Sequence, residues 1–468
     1  MDLINVIMNA GAGLGVYRAQ VATVSNNIAN ANTPGYSREE AVATETSPSE
    51  EVGTNGYLGR GITLQGVVQF RDQFVESQLG TAFSNSSSTS AQANALSTVT
   101  ALNPQGQGNV TDALGQFYSA LRDLNQNAGD QGLRSALVNA AQGVCTAFNT
   151  AASALTTARD GIDQNVSALT VQVNGLLSGV ATLNSQIALA VNSGRTPNDL
   201  LDARQNDLDQ LAQLVGATAV PDNHSGVNVV LPGGTCLVSG TIASSVSVQS
   251  DTTNGGHYDV VLSPADGSAS TALPSGQIGG QIGGLLSARD ITLGNAQSGL
   301  DTLAYDFSSA VNQQSELGYA LDGTTGHDLF TALPGSTGAA ANLTVDATVS
   351  ANPSLVAAAG SAATGPGDST NLQAMIATET TLLSTGLNVQ DGMAKLTSDF
   401  GNAVSTAQDS STFDQNILTS LTNARASASG VSVDDELTKL VQAQNAYNAL
   451  TKVVTTGDSM LTTLMNMF

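Results

Sequence analysis

The sequence is short of several residue types, and each shortage narrows what the chain can be. Aromatic residues form 4% of the 468 residues and tryptophan is absent. This composition suits long helices packed through small side chains better than one large compact core. At this length two to four domains are expected. No uninterrupted apolar run reaches the roughly 18 residues of a membrane-spanning helix, so the sequence predicts no membrane span.

Basic residues are also scarce. The chain has 14 Lys and Arg against 38 Asp and Glu, a formal net charge of −24. A surplus of that sign repels phosphate backbones, which argues against nucleic-acid binding. The surplus is unevenly placed: residues 1–35 are neutral and residues 430–468 carry −2, which leaves −22 for the interval between them.

Cysteine and histidine, which often mark metal or redox sites, are few and scattered. Cys145 lies in a helical apolar pattern and Cys236 in a strand-like one, so each is expected to be a small buried residue. A disulfide between them is not predictable from the sequence. His224, His257 and His327 each stand alone in a loop-like context, which predicts no zinc site.

The glycine-rich stretches do not match phosphate-binding loops. The run Gly276–Gly284 lacks the Gly-Lys-Ser/Thr ending of a P-loop and the strand, loop and helix order of a dinucleotide site, and Gly11–Gly15 fails likewise. Ser and Asp are so numerous that no particular Ser-His-Asp triad is indicated. The sequence therefore predicts a protein that is not an enzyme, with no catalytic residues, no cofactor and no metal.

The N-terminus carries a heptad ladder. Its apolar residues recur at alternating steps of four and three and form one narrow seam on a helix, which is expected to pack against a partner helix. One track is Leu3, Ala10, Tyr17, Val24 and Ala31, and the other is Ile7, Leu14, Val21 and Ile28.

The ladder stops at Asn30-Ala31-Asn32-Thr33-Pro34-Gly35-Tyr36. Pro34 disfavours helical geometry at Thr33. Pro-Gly at the two central positions of a turn is the preferred chemistry of type II, in which Gly35 supplies the positive φ. We therefore expect the helix to end here and the chain to change direction.

The C-terminus carries a matching ladder. Its tracks are Leu440, Tyr447, Val454, Leu461 and Phe468, and Ala443, Leu450, Gly457 and Leu464. Asp434, Asp435 and Glu436 fall in the first turn of this helix, where the helix dipole favours negative charge. Both ends of the chain are therefore predicted to be helices with an apolar seam.

Both ends resemble the axial proteins of the bacterial flagellum, the group of rod, hook and hook-associated proteins. Ser25–Arg38 is similar to the N-terminal signature of that group, including the signature turn made by Asn30, Asn32, Thr33, Pro34, Gly35 and Tyr36. Gly430–Leu437 and Leu440–Tyr447 are similar to its C-terminal signature.

The interior resembles the hook-associated protein 1 (FlgK) family, the hook–filament junction proteins. The similar segments are Pro197–Arg204, Gly280–Asp290 and Leu300–Ala304, with Asn312 and Gly318 downstream. The chain departs from that pattern near Ser315, where relatives often carry His, and at Leu329-Phe330, where they carry Phe-Phe.

This resemblance implies a structural subunit that joins hook to filament and allows filament assembly for motility. The implied partners are further copies of the chain in the flagellar axis, the hook protein, the second hook–filament junction protein and a cytoplasmic export chaperone on the C-terminal helix. The implied location is the extracellular flagellum, reached by flagellar type III export. Asp2, Asn5 and Asn9 in the first apolar stretch, with no preceding Lys or Arg, predict no cleaved signal peptide.

The fold class expected is mainly α with inserted β modules, elongated and multi-domain. The terminal helices, residues 1–35 and 430–468, would pair as a coiled coil that folds on polymerisation. A central, mainly helical rod domain would cover residues 36–216 and 275–429, an outward antiparallel β insertion residues 217–274, and an irregular Gly-rich insertion residues 318–367. Within these, the pattern predicts strands near residues 40–46, 62–68 and 343–345, and a helix through the serine-rich stretch 84–90.

The predicted assembly interface is formed by the two seams, whose members are Leu3, Ile7, Leu14, Tyr17, Val21, Val24, Ile28, Leu440, Tyr447, Leu450, Val454, Leu461, Leu464 and Phe468. In the alternative interpretation the seams belong to ordinary helices in one globular core. A different axial subunit, of hook or distal-rod type, would share both ends but not the interior matches. A secreted hydrolase on an axial-protein scaffold is the further alternative.

Overall fold

In a computed structural model of the protein, residues 3–33, 35–46, 50–51, 57–58, 61–99, 109–223 and 225–467 are described. The described chain consists mainly of long helices, with small antiparallel sheets inserted between them. This confirms the mainly α class, with its β insertions, that the sequence predicts.

The N-terminal segment is a helix followed by a β-hairpin. Helix α1 covers Leu3–Ala29, and the hairpin pairs β1 (Glu39–Glu45) with β4 (Ile62–Gln69) in antiparallel register. A smaller pair, β2 (Glu50–Glu51) and β3 (Tyr57–Leu58), lies between them in sequence. The hairpin strands agree with those expected near residues 40–46 and 62–68.

A helical body follows, made of α2 (Gln73–Ser97), α3 (Val110–Gln126), α4 (Gln131–Asn192) and α5 (Asn198–Val215). The carboxylates of Asp72 and Asp130 accept backbone N–H hydrogen bonds at the starts of α2 and α4, which satisfies donors that a helix start leaves unpaired. The serine-rich stretch 84–90 lies inside α2, so the helix predicted there is present.

Helix α4 is the central element of the core. Its buried face packs against α3, α5 and the following β module. By length and composition alone, α4 is also the one described helix that could cross a membrane. Near it, the rings of Phe117, Tyr118, Phe307 and Phe330 contact one another, mostly edge to face.

The β module contains two antiparallel sheets. The first has the order β5 (Thr218–Pro221), β6 (Val227–Val230), β7 (Cys236–Ser239) and β8 (Ile242–Ala243), and in the second β10 (Tyr258–Ser263) lies between β9 (Ser245–Ser250) and β11 (Thr271–Ala272). Cys145 is buried, as expected, but Cys236 is exposed, because it is the first residue of β7 and the two residues after it, Leu237 and Val238, take the buried positions. Both thiols are free.

The chain then returns through α6 (Gly280–Ser287), a π-helical turn (Ala288–Leu293) and α7 (Gly294–Glu316). The irregular segment that follows includes the short helices α8 (Ala339–Asn342) and α9 (Ala347–Ala351). The strand predicted at residues 343–345 is wrong: only one bridge forms, between Phe330 and Val345. No strand extends beyond this bridge, because Asp346, the next residue, caps the start of α9.

The last three helices are α10 (Thr370–Ala377), α11 (Val389–Ser429) and α12 (Val433–Asn466). Helix α11 packs along α2, and α12 packs along α1 at the other end of the sequence. The chain termini therefore meet in space, and the predicted pairing of the terminal helices as a coiled coil is confirmed.

Candidate assembly interface

The two terminal helices pair in antiparallel orientation. Leu450 Cδ1 lies 2.8 Å from where a Cβ on Gly13 would be, and Ile7 Cγ1 lies 2.8 Å from the same position on Gly457. Nearer the body, Asn27 contacts Glu436. As residue numbers rise along α1 from 7 to 13 to 27, those of the partners fall from 457 to 450 to 436, so one register is kept along the whole contact.

Most of the predicted seam residues are partly buried where the helices face each other. Val24 is buried, and Tyr447 and Leu464 are exposed. The half-buried members are Leu3, Ile7, Leu14, Tyr17, Val21, Ile28, Leu440, Leu450, Val454 and Leu461. Phe468 lies outside the described residues.

Several of the most deeply buried residues are small. Ala443 and Gly457, which belong to the second C-terminal track, are buried, and so are Gly13 and Val16, which neither N-terminal track includes. Val16 lies off the seam, on a helix that also contacts β1 and β4. Gly13 could have been found from sequence, since a glycine inside a helix often has a packing reason such as the close approach of another chain segment.

A stripe of apolar side chains on α12 remains exposed beside the pairing surface. Val453, Met460, Leu464 and Met467 recur at steps of seven, four and three, so they lie on one side of the helix. Each is between 42% and 77% exposed. On α1, Ile4 and Met8 are exposed at a spacing of four. We call the four residues on α12 the outer stripe.

The base of the coiled coil is held by the buried side chain of Asn27. Its Nδ2 donates to the backbone oxygen of Glu39 and to Glu436 Oε2, both at 2.8 Å. Its Oδ1 accepts from the hydroxyl of Tyr36 at 2.8 Å and from the backbone N–H of Glu39 at 3.0 Å. One amide thus joins α1, the signature turn, the hairpin and α12.

Glu436 is a carboxylate buried in this base, with only 1% of the residue exposed. Its Oε1 accepts from Lys439 Nζ at 2.7 Å, while Oε2 accepts from Asn27. Burial raises the pKa of Tyr36, and the carboxylates of Glu39, Asp202, Asp199 and Glu436 raise it further. The Tyr36 hydroxyl therefore stays protonated and remains a donor to Asn27.

The signature turn has the geometry that the sequence predicts. Gly35 has a φ of +81°, and the N–H of Tyr36 donates to the oxygen of Thr33 at 3.2 Å. The side chain of Asn30 accepts from Thr33 Oγ1 at 3.2 Å, and Asn32 is exposed. Pro34 lies outside the described residues.

The interior segment Pro197–Arg204 attaches the hairpin to the helical body. Asn198 Nδ2 donates to the oxygen of Val67, and its own backbone oxygen accepts from Gln69 Nε2. Asp202 forms an ion pair with Arg71 and accepts from the N–H of Ser37 at 3.2 Å. The resemblance pointed to this segment, but no sequence signal showed which element its polar side chains contact.

Arg425 on α11 extends the attachment. Its Nε lies 3.0 Å from Glu76 Oε1 on α2, and its Nη1 lies 2.8 Å from Asp209 Oδ2 on α5. Burial raises the pKa of Glu76 despite the opposing attraction of Arg425. Three helices of the body are thus tied together next to the hairpin.

A second polar cluster lies beneath the β module. Arg289, in the π-helical turn, pairs with Asp163 on α4 and with its neighbour Asp290. His257 Nδ1 lies 2.7 Å from Asp163 Oδ2. His257 lies in a loop, as expected from sequence, but it is not alone, because the fold brings Asp163 to it from 94 positions away.

Asp160, Asp163 and His257 are the described residues close enough together to hold a metal ion. However, the His257–Asp163 distance is that of a hydrogen bond, and the guanidinium of Arg289 already neutralises Asp163. The arrangement is explained by an ion-pair network that ties the β module to α4.

Comparison with known proteins identifies the terminal and central regions separately. Residues 96–330, half of the chain, match the family model described as flagellar hook-associated protein FlgK helical domain. Residues 8–36 match the flagella basal body rod protein model, and residues 423–467 match the model of the C-terminal region of the flagellar basal body rod proteins FlgEFG.

Relatives that match the chain over its whole length, and a solved structure, carry flagellar hook-associated or hook-junction names as well. Flagellar hook-associated protein 1 of Escherichia coli (strain K12) is 25% identical, with 99% of each chain covered. Its counterpart from Bacillus subtilis (strain 168) is 28% identical, over 98% of this chain and 97% of that one. The structure of the flagellar hook junction protein FlgK from Burkholderia pseudomallei has the same fold, with a TM-score of 0.68, 18% identity, and coverage of 75% of this chain and all of the other.

Proposed function

The chain belongs to the FlgK family of flagellar hook-associated proteins, and from that membership we propose that it forms the junction joining hook to filament. In this role it is a structural subunit without enzymatic activity. It allows filament assembly, and its terminal helices complete their folding when subunits polymerise.

The observation that carries the proposal is the outer stripe on α12. In the single subunit this stripe faces water. Burying one Leu- or Val-sized side chain contributes roughly 1.5–3 kcal/mol, so covering the stripe with a partner would stabilise the complex. The stripe runs beside the α1–α12 contact, so a neighbouring coiled coil can cover it without separating the two helices. Neighbouring copies in the flagellar axis are the occupants we propose.

The free-energy cost of ordering the terminal helices and the free energy gained by burying them then couple folding to assembly. Ordering a residue costs about 1–2 kcal/mol, and within one subunit α12 buries only Glu436, Ala443 and Gly457 fully. We propose that contacts between subunits supply the remaining stabilisation. The predicted seam residues, from Leu3 to Ile28 and from Leu440 to Phe468, would be ordered at that step.

We further propose the partners and the route of the subunit. The hook protein would lie on one side and the second junction protein on the other. A cytoplasmic export chaperone would cover the apolar surface of α12 before secretion. The subunit would leave by the flagellar type III apparatus without cleavage of a signal peptide and act in the extracellular flagellum.

The test is complementation of a strain that lacks its own copy of this protein. Met460→Asp places a charge in the outer stripe, and Ser459→Asp places the same charge on another side of α12 as the matched control. We expect Met460→Asp protein to be secreted into the medium but absent from hook tips, and the cells to lack filaments. Ser459→Asp should restore filaments. Normal junctions built from Met460→Asp protein would contradict the proposal.

Removal of residues 430–468 tests the role of the whole C-terminal segment. The central body should keep its helical circular-dichroism spectrum, because its core does not include α12. Incorporation into flagella should be lost. Incorporation of the truncated protein at normal levels would show that the terminal helices are dispensable.

A further inference from the structure

The exposed side of α1 carries two glycines that have no packing role in the single subunit. Gly11 and Gly15 lie two residues before and two after Gly13, so they point nearly opposite to the side that meets Leu450 of α12. Both are exposed, and a Cβ on either would have no described atom within 4 Å. Glycine inside a helix costs stability relative to alanine. The single subunit gives no reason for that cost.

Arg18 continues the same side of α1, three residues after Gly15. It is the only charged residue in Leu3–Ala29. Its side chain is exposed and makes no ion pair or hydrogen bond to any residue that the structure describes. We call Gly11, Gly15 and Arg18 the glycine face. This surface is smooth at two positions and carries one unpaired positive charge at its end.

Helix α12 has a complementary surface near its start. Asp434, Leu437 and Val441 recur at steps of three and four, so they lie on one side of the helix. Leu437 and Val441 are 45% and 55% exposed. The carboxylate of Asp434 is exposed and has no partner among the described residues, whereas the nearby Glu436 and Lys439 pair with each other. We call these three residues the base patch; the outer stripe lies further along α12.

The glycine face and the base patch match in spacing, size and charge. From Arg18 back to Gly11 the steps are three and four, and from Asp434 on to Val441 they are three and four again. An antiparallel pair of helices therefore makes three contacts: Arg18 with Asp434, Gly15 with Leu437, and Gly11 with Val441. Each apolar side chain then lies over a glycine, where two helices can approach closely.

The charges select the antiparallel orientation. A parallel pair could also set the two glycines against Leu437 and Val441, but it would place Arg18 beside the neutral Gln444. Only the antiparallel pair brings the unpaired guanidinium to the unpaired carboxylate of Asp434. Complementary charges of this kind fix the register of an interface.

We propose that the glycine face of α1 packs on the base patch of α12 in a neighbouring copy of the same chain. The inference rests on the proposed function, since that function brings copies side by side through their terminal helices. Copies that point the same way along a polymer present α1 of one antiparallel to α12 of the next. Each copy gives its glycine face to one neighbour and its base patch to another, so the contact is heterologous and continues from copy to copy.

Disulfide crosslinking in assembled flagella tests the contact. Gly15→Cys and Leu437→Cys are combined in the full-length protein with Cys236→Ser, which removes the exposed native thiol. Within one copy the two positions are too far apart for a disulfide. Asn27 contacts Glu436, the neighbour of Leu437, and Gly15 lies roughly 18 Å from Asn27 along α1.

Oxidation should therefore join different copies. We expect a ladder of products at multiples of the 47.2 kDa of one chain, which reduction converts back to single chains. A heterologous contact predicts a ladder, whereas a symmetric pair would stop at the dimer. Chains with only Gly15→Cys or only Leu437→Cys, in the same Cys236→Ser background, are the controls and should give no ladder.

Gly15→Leu tests the close approach of the helices. The free variant should be at least as stable as wild type in thermal unfolding, because leucine favours a helix more than glycine does. Its amount in detached flagella should nevertheless fall roughly tenfold, since the added side chain keeps α1 away from the neighbouring α12. Gly401→Leu is the control: Gly401 is an exposed glycine of α11 with no described atom within 4 Å of its Cβ position, and this variant should assemble normally.

Charge reversal tests the register. Arg18→Glu and Asp434→Lys should each lower the amount of protein in detached flagella by roughly tenfold, because like charges then face each other across the contact. The double variant restores opposite charges and should recover assembly. If Asp434→Lys acted only by weakening the start of its own helix, Arg18→Glu would not correct it.

The outcomes separate this inference from the proposed function. If the wild-type chain reaches hook tips but the assembled double-cysteine chain forms no ladder, the inference is wrong and the proposed function stands. Normal assembly of Gly15→Leu, or no recovery in the charge-reversed double variant, would overturn it as well. If the wild-type chain never reaches hook tips, the proposed function and the inference fall together.

Discussion

At the scale of single residues, Asn27 has the most consequential contacts in the terminal region. Its amide makes four hydrogen bonds in a fully buried position. Removing a buried partner costs about 1–3 kcal/mol for each polar group left unsatisfied. Because Glu436, on α12, is also buried and accepts a hydrogen bond from Asn27, the loss of Asn27 affects both terminal helices.

We therefore expect Asn27→Ala to loosen the base of the coiled coil, by about 2–4 kcal/mol. Amide hydrogen exchange in residues 433–440 should become faster by the factor that corresponds to this loss of free energy, while exchange in α4 stays unchanged. Asn448→Ala is the matched control, since Asn448 is an exposed asparagine on α12. Equal effects of the two variants would show that Asn27 does not hold the helices together.

A second prediction at this scale concerns acid stability. Burial raises the pKa of Asp290, but hydrogen bonds from Arg289 and Asn254 outweigh it, so this pKa lies below its ordinary value. A carboxyl with a lowered folded-state pKa stabilises the fold above its unfolded pKa, about 3.9, and loses that contribution as the pH falls through the folded value. Asp290→Asn should therefore lower the free energy of unfolding by about 1–3 kcal/mol at pH 7, and by less at pH 3.

Asp259 provides a control of opposite sign. Burial raises its pKa, as do Asp251 and Asp290, so its ionised form opposes folding and the effect disappears as the pH falls. Asp259→Asn should be at least as stable as wild type at pH 7 in urea unfolding. If both Asn variants changed stability in the same direction at pH 7, the electrostatic account of this cluster would be refuted.

At the scale of elements, the crossing of α2 and α6 depends on a glycine. A Cβ on Gly284 would lie 2.0 Å from the backbone oxygen of Ser88, and a backbone atom cannot yield as a flexible side chain can. We expect Gly284→Ala to lower the free energy of unfolding by about 1–3 kcal/mol, since the two helices must separate to admit one methyl group.

Gly161→Ala makes the same substitution in α4, where nothing lies within 4 Å of the added Cβ. It should raise stability by roughly 0.5–1 kcal/mol through helix propensity alone. Thermal unfolding of the two variants beside wild type checks the prediction. Stabilisation by both would mean that α2 and α6 are not as close as described.

The helices show why an element is easier to predict than its partner. Periodicity placed helices over α1, α4 and α12, because a buried stripe repeats with the helical period. It did not reveal that Val16 is buried, since the apolar ladder ran along the other side. A helix that contacts both a second helix and a hairpin buries two faces, and a search for one seam finds only one of them.

At the scale of the whole molecule, stability is expected to be uneven. The body buries a continuous core from Ala91 to Ala407, whereas α12 is mostly exposed along its 34 residues. Long helices with little burial are marginal on their own. The ends of the subunit should therefore open far more often than its centre.

Amide hydrogen exchange on the purified subunit measures this directly. Residues 3–29 and 433–466 should exchange quickly, and α4 slowly, before assembly. In detached flagella the terminal helices should become protected. Strong protection of both ends in the free subunit would mean that the pairing of α1 with α12 satisfies them within one chain, and the assembly surface would then have to lie on the acidic body.

Several features follow from the amino-acid sequence by itself. Local chemistry determines the terminal helices, the turn at Gly35, the alternation of the β module and the excess of acid over base, because each depends on residues close together in the chain. The terminal signatures and the Pro197–Arg204 segment indicated the family for the same reason. None of these required knowledge of which segments meet.

The tertiary structure alone decided what meets what. Asn27 and Glu436 are 409 positions apart and Asp163 and His257 are 94 apart, and no local rule couples either pair. The antiparallel register of the coiled coil and the exposure of Cys236 likewise depend on how whole elements pack. Periodicity indicates that a surface will be buried, but the shapes and charges of distant segments decide what buries it.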